Sequence, residues 1–333
     1  MSPSDLMLGA GARLGLALAT PAAPRLSILI FHRVLPQPDP VFPLELDAAR
    51  FDRLMGLVRR SFNVLPLEAA VDGLAAGRLP PRAMAITFDD GYADNHDVAL
   101  PILRCHGLHA TFFIATGFLD GGRMFNDTVI ESLRHSPLTE LDAGDFGLGR
   151  LPIGTPALKA AAIGQLLGVI KYQSPAEREP SLARRRTLAQ PRHLPDDLMM
   201  RSDQVQAMAA AGMGLGAHTL DHPILCSIED AEVARQMRGS RDRLQQLVQA
   251  PVDLFAYPNG RPDRDYARRH AELARGLGFK AAVTTAPGVA RPGDDLFELP
   301  RFTPWQAGAW PWMARLVACR RQPGYQRAGL AAA

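Results

Sequence analysis

The chain has 333 residues, of which 47% are apolar and 21% are charged, and its formal net charge is +3. These are the proportions of an ordinary soluble protein, and the length allows a sizeable core. The small charge offers no dense basic stripe, so nucleic acid is not an expected partner. The three cysteines are widely spaced and form no CxxC pair, which favours a reducing compartment.

The first 25 residues are expected to form an N-terminal helical segment, with an apolar stretch at 6–23. Asp5 precedes this stretch and Arg13 interrupts it, which argues against a secretory signal. We therefore expect a cytoplasmic protein, with export as the alternative. The segment either packs on the domain or associates peripherally with a membrane as an amphipathic helix. Elsewhere no apolar run reaches the length of about 20 residues that a membrane span needs.

Residues 26–303 alternate between apolar runs and helical patterns. The runs predict buried strands at 26–34, 84–88, 109–115, 212–217, 252–257, 280–285 and 296–302. Helical patterns lie at 47–61, 67–76, 93–106, 203–211, 228–249 and 262–277. This alternation predicts an α/β fold with a parallel sheet covered by helices. About seven strands suggest a closed or nearly closed barrel, with its chemistry at the C-terminal strand ends.

Two segments fall outside this rhythm. Residues 119–200 are long, weakly periodic and interrupted by Gly and Pro, and they predict an insertion after the third strand, either a lid or a flank. Within it, 159–169 and the basic stretch 182–186 look helical. Residues 304–333 form a C-terminal tail with three tryptophans and a basic end.

The first chemical motif is Ile86-Thr87-Phe88-Asp89-Asp90-Gly91-Tyr92, an apolar strand that ends in two carboxylates. Adjacent buried carboxylates need a cation or hydrogen-bond donors to offset desolvation. The alternative interpretation is a helix N-cap, where Asp is common.

The second motif is His218-Thr219-Leu220-Asp221-His222, directly after a predicted strand. Histidines at i and i+4 share one face of a helical turn, so both imidazoles can reach one metal ion. A lone histidine is more often a core or surface residue, but the ligand spacing favours metal binding.

The third motif is Phe255-Ala256-Tyr257-Pro258-Asn259-Gly260, again a strand that enters a turn. It is either an ordinary turn or a wall of the site with a backbone N–H available for an oxyanion. Together, two histidines and one aspartate leave open coordination positions, as hydrolytic metal sites require. The second carboxylate is then able to deprotonate a water bound at the metal.

The motifs TFDDG, HTLDH and FAYPNG, in this order, resemble those of the polysaccharide deacetylase family, over residues 26–118 and 206–303. The resemblance implies a distorted (β/α) barrel, with Asp89 as general base and Asp90, His218 and His222 as metal ligands. It also implies that the Tyr257 amide stabilises the tetrahedral oxyanion. The FHRV sequence at 31–34 is similar to the opening strand of the branch that acts on exopolysaccharides.

This sequence departs from the family pattern at two places. No histidine follows His270, so the late general-acid histidine is missing, and so is the family arginine before the third motif. Arg301 is our candidate replacement as the partner of Asp89; the alternative is a structural arginine that closes the barrel. The general acid stays open between His32, Asp127 and the metal-bound water. His32 is otherwise a packed residue, and Asp127 part of a helix start.

The resulting hypothesis is metal-dependent removal of N-acetyl groups from a saccharide. One divalent ion is expected, with zinc preferred and cobalt, nickel or manganese admitted by mixed N/O ligands. The residues predicted to line the saccharide site are His32, Tyr92, Pro258, Asn259 and Asp127. The alternatives are a sugar O-esterase or deformylase with the same site, and a non-catalytic carbohydrate-binding relative.

Overall fold

The computed structural model describes residues 24–171, 173, 180, 181, 183, 184, 188–304, 309–322 and 324–329. The predicted helix at 6–23 lies outside these residues, as does most of 182–186. The strands are β1 (Ser27–Phe31), β2 (Asn63–Val64), β3 (Ala83–Phe88), β4 (Thr111–Ile114), β5 (Glu140–Asp142), β6 (Arg150–Pro152), β7 (Gly214–Ala217), β8 (Leu254–Ala256), β9 (Ala281–Pro287) and β10 (Leu299–Arg301).

Seven of these strands form a parallel sheet in the order β1-β3-β4-β7-β8-β9-β10, and the short β2 pairs with the first two residues of β3. The two ends of this sheet meet, because Phe302 donates to Ile28 O at 2.7 Å and accepts from the Ile30 amide at 3.1 Å. A register shift between Leu299 and Arg301 makes the closure irregular. The predicted distorted barrel of about seven parallel strands, with a long insertion after the third, is confirmed.

The strands are apolar on both faces because both faces are buried. Inside the barrel, Ala83, Ala85 and Ala256 leave room for the large side chain of Phe113. On the outside, aromatic residues of β1, β3 and β4 pack in series beneath the helices: Phe31 stacks on Phe88 at 5.2 Å, and Phe88 on Phe112 at 4.8 Å. Because the strand period is two, Thr87 and Asp89 continue the inward-facing set of β3.

The helices of the described residues are α1 (Ala48–Ser61), α2 (Leu67–Ala75), α3 (Leu100–Cys105), α4 (Phe125–Arg134), α5 (Pro156–Ile170), α6 (Ser202–Ala210), α7 (Asp230–Val248), α8 (Arg268–Gly276) and α9 (Ala309–Arg321). Two predicted helices are shorter than expected. The one at 93–106 opens with a π-helical turn, Asn95–Ala99. The one at 262–277 is helical only as α8, and it is preceded by a bridge between Pro262 and Tyr266, within which Asp263 has a left-handed φ of 63°.

The insertion between β4 and α6 has a core of its own. Helices α4 and α5 pack together beside the antiparallel hairpin β5-β6. Val41, from the loop after β1, joins this core, and Asp39 of the same loop pairs with Arg134 at 2.8 Å. The insertion is therefore packed against the loop that follows β1 and ion-paired with it.

At the other end of the chain, α9 packs on the barrel through Trp312, which contacts Phe62 and Phe302. Among the described helices, none combines the length and the apolarity that crossing a membrane would take.

Candidate metal site

The two carboxylates of the first motif diverge because the chain turns sharply after β3. The Asp89 amide still donates to Phe31 O at 2.9 Å, as a strand residue would. Asp90 and Gly91 then adopt left-handed φ values of 79° and 89°. A Cβ at Gly91 would lie 2.8 Å from Ile114 Cγ2, so this turn requires glycine.

The histidine motif forms an irregular loop, so the predicted helical turn is wrong. Thr219 and His222 have left-handed φ values of 65° and 51°. The Thr219 hydroxyl accepts from the His222 amide at 3.1 Å, and Gln236 Oε1 of α7 accepts from the amides of Leu220 and Asp221. These side-chain acceptors replace the hydrogen bonds that a helix would have supplied.

Asp90, His218 and His222 converge on one point. Asp90 Oδ1 lies 3.4 Å from His218 Nε2 and 3.3 Å from His222 Nε2, and the ligand atoms of the three residues all lie within 4.8 Å of one another. Asp90 Oδ1 is buried and has no hydrogen-bond partner. A carboxylate oxygen left without a donor between two imidazole nitrogens fits a divalent cation.

The orientation of the two histidines suits ligation. His218 Nδ1 donates to Ala256 O at 2.7 Å, which aims Nε2 at Asp90 Oδ1. Burial lowers the pKa of His218, but Asp90 and Asp89 outweigh burial and raise it, so a cation at Nε2 would displace a proton. Burial lowers the pKa of His222 to about 4, so its imidazole is neutral at neutral pH. Burial opposes the charge on Asp90, but His218 and His222 outweigh it and hold its pKa below the usual value.

Arg301 holds Asp89 through a two-pronged ion pair. Its Nη1 and Nη2 donate to Asp89 Oδ1 and Oδ2 at 2.7 and 2.6 Å. The guanidinium is oriented by Nε, which donates to Thr284 O at 2.7 Å, and by a 3.2 Å bond from Nη1 to the Thr87 hydroxyl. Burial raises the pKa of Asp89, but Arg301 and His218 lower it by more than burial raises it. The pKa of Asp89 is therefore below its usual value. The pairing expected from the sequence is present.

The family model of polysaccharide deacetylases matches residues 76–141 and 163–282, more than half of the chain. The chain belongs to the polysaccharide deacetylase family. The family is named for hydrolases that remove acetyl groups from polysaccharides.

The relatives described next are distant in sequence. YxkH of Bacillus subtilis (strain 168), which bears a provisional polysaccharide deacetylase name, is 21% identical over 72% of this chain and 57% of its own length. The chain thus spans just over half of that relative. The structure of the Streptococcus pyogenes deacetylase PplD in complex with acetate is similar with a TM-score of 0.61 and 19% identity, covering 90% of this chain and 99% of PplD. The structure of IcaB from Ammonifex degensii is also similar, with a TM-score of 0.55 and 19% identity, and the match covers 90% of this chain and 97% of IcaB.

The third family motif differs from its predicted role. The Tyr257 amide is not free, since it donates to Val283 O of β9 at 3.2 Å. Its side chain belongs to the outer layer, where it stacks on Tyr266 and donates to Phe297 O. Pro258 has no amide hydrogen, and the Gly260 amide donates to Pro258 O at 2.7 Å. The Asn259 amide, by contrast, donates to no acceptor among the described residues.

The predicted saccharide-contacting residues separate into two groups. His32 is half-buried beside the metal site, where its charge lowers the pKa of Asp90. Tyr92 and Asp127 are 3% and 2% exposed, and the Tyr92 hydroxyl donates to Asp127 Oδ1 at 3.0 Å. Direct saccharide contact by these two residues stays a prediction, because their burial matches that of Asp89, which is 2% exposed. Burial raises the pKa of Asp127 to about 7.

Arg33, the cation that packs against the Tyr92–Asp127 pair, was not identified from the sequence. Arg33 lies over the Tyr92 ring at 4.7 Å and pairs with Asp94 at 2.7 Å. Both residues sit beside motifs that were singled out, Arg33 within FHRV and Asp94 just after DDGY. Their closeness to His32 and Asp90 in the chain was the available signal.

Gly117 leaves room for the histidine loop. Its amide donates to Leu220 O at 2.8 Å, and a Cβ there would lie 2.6 Å from Asp221 Oδ1 and 2.7 Å from Leu220 O. Gly117→Ala should displace the loop, cost about 1–3 kcal/mol of stability and weaken metal binding. Gly164→Ala, where nothing lies within 4 Å, is the matched control. Equal metal affinity of the two variants in a titration would contradict this role.

Proposed function

We propose that the chain is a metal-dependent hydrolase that removes N-acetyl groups from a saccharide, with zinc as the metal. The observation that carries the proposal is the buried Asp90 Oδ1 between two imidazole nitrogens, next to an Asp89 held by Arg301. Family membership supplies the acetylated carbohydrate as substrate.

Asp90, His218 and His222 would hold the ion. When bound, a divalent ion supplies Lewis-acid polarisation of the acyl carbonyl and of the attacking water. Asp89 accepts the proton of that water as general base, and its lowered pKa keeps it ionised for this purpose at neutral pH. Arg301 fixes the direction of the carboxylate, because its planar fork binds both oxygens.

The tetrahedral oxyanion needs a donor other than the Tyr257 amide. By elimination within the turn, we assign this role to the Asn259 amide, which has a left-handed φ of 59° and no acceptor in the described residues. The departing amine needs a proton when the C–N bond breaks. His32 is half-buried at the site and is better placed to supply it than the enclosed Asp127.

The test is metal analysis of the purified protein, followed by acetate release from N-acetylated oligosaccharides. Acetate and a free amine should appear in equal amounts. O-acetylated and N-formylated sugars should be poorer substrates; a preference for either would reassign the reaction while keeping the site.

His218→Ala should sharply lower the metal content, since it removes one of three protein ligands. Metal per chain, measured by atomic spectroscopy after dialysis, checks this. His193→Ala is the control, because it removes an exposed histidine away from the motif. Undiminished occupancy in His218→Ala would reject the ligand assignment.

A further inference from the structure

Two arginines at the other end of the barrel have buried donors without acceptors. Arg320 of α9 is 1% exposed; its Nη1 donates to Ser27 Oγ at 2.8 Å, but its Nε has no partner. Arg25 Nε and Nη1 are also buried without a hydrogen bond. Within the described ranges, neither arginine has a carboxylate at ion-pair distance.

These side chains converge because of the backbone around β1. Leu26 and Ala290 exchange two backbone hydrogen bonds of 2.9 Å as an antiparallel bridge, which places Arg25 and Arg291 opposite each other on the same side of it. Arg320 reaches Ser27, the first residue of β1. Three guanidinium groups therefore surround the start of one strand.

The cluster is electrostatically unfavourable by itself. Burial, followed by the charge of Arg25, lowers the pKa of Arg320 to about 10. Burial and the charge of Arg291 likewise lower the pKa of Arg25. Because arginine does not give up its proton in proteins, the charges persist and need a counter-charge.

We propose that Arg25 and Arg320 form a binding site for a phosphate-type oxyanion at the end of the barrel opposite the metal site. Guanidinium groups bind phosphate oxygens through paired N–H donors, and an ion with two negative charges suits several arginines. The metal ligands follow the C-terminal ends of the parallel strands β3 and β7, whereas Ser27 begins β1. The anion therefore lies apart from the catalytic loops.

The phosphate has two possible sources, a free ion or the headgroup of an anionic phospholipid, and two measurements separate them. The first is thermal unfolding of the full chain in sodium phosphate against sodium chloride at equal ionic strength. Phosphate should raise Tm, since at one hundred times Kd it shifts the folding equilibrium about a hundredfold. The second is sedimentation with vesicles of phosphatidylcholine, with or without an equal part of phosphatidylglycerol.

Arg320→Met should abolish the response, yet be no less stable than the wild type in chloride, because it removes an unpaired buried charge. Arg25→Met tests the same site at a less buried position. Arg150→Met is the control: Arg150 is exposed and pairs with Glu140, so its loss changes the net charge equally.

A wild-type response to phosphate that both site variants lose supports a free anion. Binding to phosphatidylglycerol vesicles that both variants lose, without a response to phosphate, supports a lipid headgroup. No wild-type response in either measurement, or equal responses of the wild type and the site variants, would overturn the proposal.

Discussion

Asp89→Asn should lower kcat for acetate release by about 10²–10⁴-fold while the metal content stays unchanged. Asparagine keeps the size of the side chain but has no carboxylate to take the proton of the attacking water. The proposed metal ligands are other residues, Asp90, His218 and His222. The variant therefore separates proton transfer from metal binding.

The measurements are single-substrate kinetics and metal analysis on the same preparation. Asp242→Asn provides the control, because this exposed aspartate pairs with Arg241 on α7. A rate for Asp89→Asn near that of the control would show that another group takes the proton. Loss of metal together with activity would instead place Asp89 in the ligand set.

Much of the barrel was accessible from the sequence because its strands are buried on both faces. Such strands appear as short uninterrupted apolar runs, and β1 and β3 are buried at every residue. Because the C-terminal ends of parallel strands lie at the same end of a barrel, residues that follow these ends, such as Asp89, Asp90 and His218, are expected to meet there. Strand position alone was therefore enough to predict that these residues lie close together.

Local conformation around the ligands could not be read in this way. The histidine loop is set by Gln236, which lies 14 residues after His222 and carries no motif signal. The Tyr257 amide is taken by Val283 of a neighbouring strand, a contact that depends on register. The burial of Asp127 likewise follows from how the insertion packs, which a weakly periodic sequence does not reveal.

Arg301 is the case in which a missing residue led to the right contact. The family arginine is absent from the third motif, so the buried Asp89 needed a cation from elsewhere. The only sequence signal was an arginine at the end of the last predicted strand. In the structure it lies 212 residues from Asp89 along the chain and binds both carboxylate oxygens.

Arg301→Met should destabilise the fold by about 3–5 kcal/mol at neutral pH, because it leaves Asp89 buried without its cation. The wild-type pair lowers the pKa of Asp89, so its stabilising effect is present at neutral pH and is lost as the pH falls through that lowered pKa. The gap in unfolding free energy between variant and wild type should therefore narrow in acid. Denaturant unfolding at several pH values measures it.

The same variant should change catalysis in a way that instability alone would not. Without Arg301, burial dominates and the pKa of Asp89 rises, so the acidic limb of kcat/KM moves to higher pH. Arg301→Lys should keep the acidic limb of kcat/KM closer to its wild-type pH but lower the rate, since an ammonium group cannot bind both oxygens. Arg134→Met is the matched control: it breaks the partly buried pair with Asp39, which involves neither Asp89 nor the proposed metal ligands. Both Met variants should be destabilised, but only Arg301→Met should shift the limb. An unmoved limb and an unchanged rate in both Arg301 variants would show that this arginine only closes the barrel, and that the ionisation of Asp89 is governed by His218 and the metal.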